Sequence, residues 1–161
     1  NGMMTHHGMD PAEFLAFVHD IDYSPVQRNE DLVDAIQRLP GRKVIFTNGT
    51  VAHAESVLNR LGIHGEFDVF FDIVASDYVP KPNPAPYDKL LAAHDIDPKR
   101  SVMLEDIARN LEHPAALGMT TVWVRTDHDW SHDGAGGGDH IHHVTDDLAE
   151  WLSGYVRSRH G

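Results

Sequence analysis

A hydroxyl, an ammonium and a pair of carboxylates recur along this chain in contexts suited to handling a phosphate. Thr47, with Asn48 and Gly49, directly follows the apolar triplet Val44-Ile45-Phe46 and precedes a helical pattern of Val51, Ala54, Val57, Leu58 and Leu61 that Gly62 stops. That order reads as strand, tight turn, helix. Backbone N–H groups and the positive end of the helix dipole favour an anion at such a turn. Lys81 opens the proline-rich Lys81-Pro82-Asn83-Pro84, and Glu105-Asp106 close the apolar run Val102-Met103-Leu104. A hydroxyl, backbone amides and an ammonium can hold phosphate oxygens, while paired carboxylates can hold the hard cation that offsets the remaining charge. Singly, each group has a plainer reading: an ordinary turn, an exposed loop lysine, a cap for a helix starting at Ile107.

The elements that must position these groups alternate. Asp10, Pro11 and Glu13 open a helix with Phe14, Phe17, Val18 and Ile21 on one face, and Asn29 caps a second, about 30–39, with Leu32, Val33, Ile36 and Leu39 inward. After the first strand and its helix come an apolar cluster at Phe67, Val69, Phe70 and Phe71 and a short buried strand expected at Ile73-Val74-Ala75. A helix over about 86–94, a strand at 101–104, a helix running from the acidic pair to Gly118, a strand over 120–124 and a helix over 146–156 complete the order. This β-α alternation predicts an α/β fold, a doubly wound (Rossmann-like) parallel sheet with helices on both faces. In such sheets the chemistry gathers at the carboxyl ends of strands, where Thr47 and Glu105-Asp106 stand, with Lys81 following the second strand.

Composition narrows the partners. The 161 residues suffice for one domain, and the formal net charge of −12 would repel a polyphosphate backbone or an anionic membrane surface. No nucleic-acid or membrane partner is expected. The chain contains no cysteine, which suits the cytoplasm, and has neither a signal-peptide pattern nor an apolar run approaching roughly 18 residues. Asp127 to His143 is rich in His, Gly and Asp. Its histidines match no tetrahedral metal spacing, and Gly134 to Gly138 suggest a mobile, solvated loop.

Phe46-Thr47-Asn48-Gly49, Lys81-Pro82-Asn83-Pro84 and Glu105-Asp106-Ile107-Ala108-Arg109-Asn110 resemble motifs II, III and IV of the haloacid dehalogenase-like phosphohydrolases. Val18-His19-Asp20-Ile21, Asn110-Leu111-Glu112 and Asp139-His140-Ile141-His142-His143 resemble the pyrimidine 5′-nucleotidase branch. The resemblance implies a Mg²⁺-dependent hydrolase of small phosphate monoesters working through an aspartyl-phosphate. Thr47 would hydrogen-bond the transferring phosphoryl group with the amides of Asn48 and Gly49. Lys81 would neutralise the phosphate, Asp106 would bind Mg²⁺, and Glu105 and Asn110 would support the metal. Phosphoglycolate or a sugar phosphate is the alternative substrate. A non-enzymatic, receiver-like module is the alternative of another class, and the order Thr, Lys, acidic pair argues against it.

Relatives begin with a strand ending in Asp-x-Asp, which supplies nucleophile and general acid/base. Here Asp20-Ile21-Asp22 follows residues of helical period, and a helix C-terminus is a poor place to activate a carboxylate. The resemblance therefore implies that the nucleophile and acid/base Asp are not in this chain, that residues 1–28 end a helical cap, and that 29–161 form the core without its first strand. That strand would lie between the strands ending at Thr47 and Glu105. Without it the two would face each other across roughly 10 Å, so either a complementing N-terminal fragment or subunit is the expected partner or the sheet is rearranged, as by pairing between subunits. Lys81, read as an exposed loop lysine, is expected to matter for turnover and little for stability.

Overall fold

The computed structural model describes residues 22–136 and 138–160. The helix expected from Pro11, together with Asp20 and Ile21, lies outside the described residues, as does most of the expected cap segment. The described strands are all parallel and form an α/β fold of two compact units, dividing after Tyr78.

In the first unit, helix α1 spans Glu30–Arg38. The Asn29 side chain accepts the Leu32 N–H at 3.0 Å, and Glu30 and Asp31 place negative charge in the first turn, where the helix dipole favours it. Leu32, Val33, Ala35 and Ile36 form its buried stripe. Strand β1, Val44–Phe46, pairs in parallel with β2, Val69–Phe71, with Ile45 opposite Phe70. Helix α2, Val51–Leu61, is capped by Thr50 and ends at Gly62 in the left-handed region (φ 81°). A Cβ on Gly62 would meet the Arg28 guanidinium at 2.0 Å, so glycine suits both the backbone and the packing there.

The buried strand expected at Ile73-Val74-Ala75 is absent; the strand lies earlier, and these residues form tight turns with Val74 49% exposed. Asp72 is the physical reason. Its carboxylate accepts the Val51 N–H at 3.1 Å and the Ala75 N–H at 2.9 Å, while its carbonyl accepts the Ser76 N–H. The chain therefore turns directly after Phe71, and the turn is tied to the start of α2.

In the second unit, Asn83 caps helix α3, Pro84–His94, by accepting the Ala85 N–H, and Pro84 occupies the first helical position. Strands β3 (Val102–Glu105), β4 (Thr120–Val124) and β5 (His143–Thr145) pair in the order β3-β4-β5, with Glu105 opposite Trp123. Ala108, Leu111 and Trp123 form a buried apolar cluster, with Met103, Ala135 and Ile141 packed on it. On β3, Val102 and Leu104 remain 37% exposed. Among the described residues β1 pairs with β2 alone and β3 with β4 alone, each on one side.

The single helix expected from Glu105-Asp106 to Gly118 is broken into a 3₁₀ turn at Ala108–Leu111 and helix α4, Glu112–Ala116. Pro114 has no N–H to give the Asn110 carbonyl four residues back, and the Tyr87 hydroxyl donates to that carbonyl instead, at 2.8 Å. Strand β5 lies in the stretch read as loop and its margin. The last helix, α5, spans Leu148–His160 and starts later than expected, because the Asp147 carboxylate accepts the Glu150 N–H as a cap. Among the described residues no helix is long and apolar enough to cross a membrane.

Replacing Asp72 by alanine removes the acceptor of two amides at a buried turn. Asp72→Ala is expected to lower unfolding free energy by about 1–3 kcal/mol in urea titrations, with Asp72→Asn losing less.

Candidate active site

In the first unit, Thr47 leaves the end of β1 with its own N–H donating to the Phe71 carbonyl at 3.0 Å. The Gly49 N–H donates to the Thr47 hydroxyl at 2.9 Å. One amide expected to face a phosphate is thus spent on shaping the turn, and the Thr47 hydroxyl keeps its own proton to donate. The Val51 and His53 amides at the head of α2 are likewise taken, by Asp72 and Thr50. The anion favoured by this helix start is already present as the Asp72 carboxylate, a residue that sequence reasoning missed. Its position directly after β2 was the available signal. Asp22 is no unengaged carboxylate either: it accepts both the N–H and the hydroxyl of Ser24, which hold it below the usual carboxylate range.

In the second unit the structure brings Lys81, Glu105, Asp106 and Asn110 together. Lys81 opens the turn just before α3, and its ammonium donates to Glu105 at the tip of β3, 2.5 Å away. The two side chains are 7% and 6% exposed, so the lysine expected as a solvated loop residue is half of a buried ion pair. The other Glu105 oxygen accepts the Ile107 N–H. Burial alone would raise the Glu105 carboxyl, but the Lys81 charge and hydrogen bonds from Asp106 and Asn110 outweigh it, and the net shift is downward. Asn110 is buried at 3% exposure, its carbonyl fixed by Tyr87. Burial, then the nearby Glu105 and Glu112 charges, push the Tyr87 hydroxyl strongly up and keep it a neutral donor.

Asp106 belongs to the exposed residues, yet partial desolvation of its carboxyl, then the hydrogen bond and the like charge of Glu105, push its pKa up to about 6. A carboxylate held beside another carboxylate suits a hard cation in its chemistry: an anionic oxygen donor that faces a like charge. Glu105 is committed to Lys81, so Asp106 is the direct donor on offer and Glu105 a neighbour that adds negative potential. Among the described residues no group of three His, Asp or Glu side chains gathers as a metal cage. Such an arrangement fits Mg²⁺, which keeps several waters and takes few carboxylates.

The histidine-rich stretch does separate jobs. His128 stacks on Trp130, His132 meets the edge of Trp123 and bonds the Thr126 carbonyl, and His142 Nδ1 accepts the Thr121 N–H. Ser131 in its middle is fully buried. The solvated loop expected over Gly134 to Gly138 is, at Gly134, packed against Arg109: a Cβ on Gly134 (φ 84°) would lie 2.7 Å from the Arg109 Cα.

These features coincide with what comparison with known proteins finds. Residues 12–118 match the family described as haloacid dehalogenase-like hydrolase, and the chain belongs to that family. It is 31% identical over 101 residues to Enolase-phosphatase E1 of Frankia alni, a stretch that is 59% of this chain and 42% of that protein. The chain thus spans less than half the length of this relative. Among solved structures it is similar to a HAD phosphatase from Thermococcus onnurineus, with TM-score 0.61 and 19% identity over 91% of this chain and 65% of the other. It is also similar to CbbY of Rhodobacter sphaeroides in complex with xylulose-(1,5)bisphosphate, with TM-score 0.58 and 25% identity over 75% of this chain and 53% of the other.

The expectation that Lys81 matters little for stability gives way to the opposite. Lys81→Met leaves Glu105 buried and unpaired and is expected to cost about 3–5 kcal/mol, whereas Lys81→Met with Glu105→Leu recovers most of that loss in urea unfolding. A pH dependence follows from Asp106. Its folded pKa of about 6 lies above its ordinary 3.8, so its contribution to stability is fully present below that ordinary value and lost as pH rises through about 6. In EDTA, Asp106→Asn should therefore gain stability relative to the parent between pH 4.5 and pH 7.5, as read by denaturant midpoints.

Proposed function

We propose that this chain is the core of a Mg²⁺-dependent phosphohydrolase acting on small phosphate monoesters. The observation that carries this reading is the end of β3, where buried Lys81 pairs with Glu105 and the adjacent Asp106, beside that carboxylate, has a raised pKa. Family membership supports a hydrolase, and phosphatases among the similar proteins support phosphate esters.

In the proposed mechanism the Thr47 hydroxyl donates to a phosphoryl oxygen, its orientation fixed by the Gly49 N–H. Asn48 and Gly49 shape the turn around it. Lys81 would supply fixed positive charge while remaining paired with Glu105. Asp106 would hold Mg²⁺, with Glu105 and Asn110 in support. Mg²⁺ would supply charge neutralisation of the phosphoryl oxygens. The attacking carboxylate, which would form the aspartyl-phosphate, is assigned to none of the described residues, because Asp22 and Asp72 are bound to neighbouring donors and Asp106 is given to the metal. The proposal places it on a further strand, from another segment or polypeptide. The exposed Val102 and Leu104 on β3, paired on one side, support a place for such a strand.

Pyrimidine 5′-nucleotides are the proposed substrates, supported by the segments around Asn110-Leu111-Glu112 and Asp139-His140-Ile141-His142-His143. Sugar phosphates are the second reading, supported by the likeness to CbbY in complex with a sugar bisphosphate.

The test uses residues 1–161 together with the segment bearing the missing carboxylate. Phosphate release from UMP and CMP should require Mg²⁺, fall by at least about 100-fold in Asp106→Asn, and exceed release from sugar phosphates. Full turnover in excess chelator would remove the metal from the mechanism, and faster turnover of sugar phosphates would favour the second reading.

A further inference from the structure

Asp106 presents two faces to its surroundings. Its carboxyl faces the Glu105 cluster, while its backbone carbonyl accepts the Ser131 hydroxyl at 2.5 Å and the Trp123 indole N–H at 3.1 Å. Ser131 is completely buried and Trp123 is 6% exposed, so both donors act where water does not compete. The stretch that carries Ser131 is itself pinned. The Ser131 N–H bonds the His128 carbonyl at 2.9 Å, and the His132 ring stands edge-on to Trp123 with centroids 5.1 Å apart. On the other side of the acidic turn, the Arg109 N–H donates to the Asp133 carbonyl at 2.7 Å. The backbone just after β3 is therefore held from both ends by residues 123–133.

A buried serine could simply satisfy its own hydroxyl. Here its bond falls on the carbonyl of the residue assigned to the metal, and a second buried donor converges on the same oxygen. Two donors at one carbonyl fix the orientation of the 106–107 peptide plane, and with it the direction in which the Asp106 side chain leaves the backbone. We infer that Ser131 and Trp123 are positioning residues for the Asp106 carboxylate, and that the histidine-rich segment serves as their scaffold. This inference rests on the metal-binding reading of Asp106. Groups that orient a metal ligand in this way typically change metal affinity by 10–100-fold when removed.

The test measures Mn²⁺ binding to the 161-residue chain at pH 7.5 by the electron-paramagnetic-resonance signal of the free ion, Mn²⁺ standing in for Mg²⁺ as an oxygen-preferring cation. Ser131→Ala and Trp123→Phe should each weaken Mn²⁺ binding by roughly tenfold or more, and Ser131→Thr, which keeps the hydroxyl, should bind more tightly than Ser131→Ala. Leu152→Ala, a truncation of a buried residue on α5, serves as the control for lost stability, with melting temperatures measured for every variant, and should bind as the parent does. Binding by Ser131→Ala and Trp123→Phe within twofold of the parent would overturn the inference, as would an equal loss in Leu152→Ala. If the parent takes up no Mn²⁺, or Asp106→Asn takes it up equally well, the metal reading itself fails and the positioning role falls with it.

Discussion

The second unit depends on one ion pair. Removing an ammonium and a carboxylate from water costs several kcal/mol each, and their attraction returns this only when the geometry is good and the remaining lone pairs are satisfied. Lys81 and Glu105 meet these conditions, since Glu105 also accepts the Ile107 N–H and a bond from Asn110. The pair ties the turn before α3 to the tip of β3. The adjacent carboxyl, Asp106, is partly desolvated and faces the hydrogen bond and like charge of Glu105, which together outweigh the attraction of Lys81 and push its pKa up to about 6. The electrostatic character of the whole strand end follows from this arrangement.

The turn after β3 obeys a second constraint, set by a proline. Pro114 denies the Asn110 carbonyl its helical donor, the Tyr87 hydroxyl takes that place, and a continuous helix gives way to a 3₁₀ turn followed by α4. Asn110 consequently sits buried beside the acidic pair with both its carbonyl and its amide engaged. The first unit uses a related device. Asp72 accepts the Val51 amide at the head of α2, so that helix start is answered by the protein's own carboxylate, while the Gly49 N–H shapes the turn at the Thr47 hydroxyl.

Much of this was legible in residues whose effect is local. Asn29 as a cap, the Leu32, Val33 and Ile36 stripe, Gly62 as a helix stop and Thr120 to Val124 as a strand all follow from hydrogen bonds or periodicities within a few residues. Readings that needed a distant partner went astray. Ile73-Val74-Ala75 has strand-forming composition, but Asp72 bonds an amide 21 residues earlier and turns the chain. The proline-rich context of Lys81 suggested solvent, whereas Glu105 lies 24 residues away in sequence and 2.5 Å away in space. The glycines near 134 suggested a solvated loop, whereas Ser131 reaches back 25 residues to the Asp106 carbonyl.

The sequence by itself determined the α/β class, the parallel order of strands, and the chemical types at their ends, because strand, turn and helix signals and the Thr, Lys and Glu-Asp identities are written in short stretches. Tertiary structure alone decided which groups are buried, which are paired, and which keep chemical capacity in reserve. Burial and pairing are properties of surroundings contributed by residues far away in the chain, and the free energy of a charge depends on those surroundings more than on its own identity. The same carboxylate chemistry therefore yields a structural partner at Glu105, a helix-start ligand at Asp72 and a carboxyl of raised pKa at Asp106.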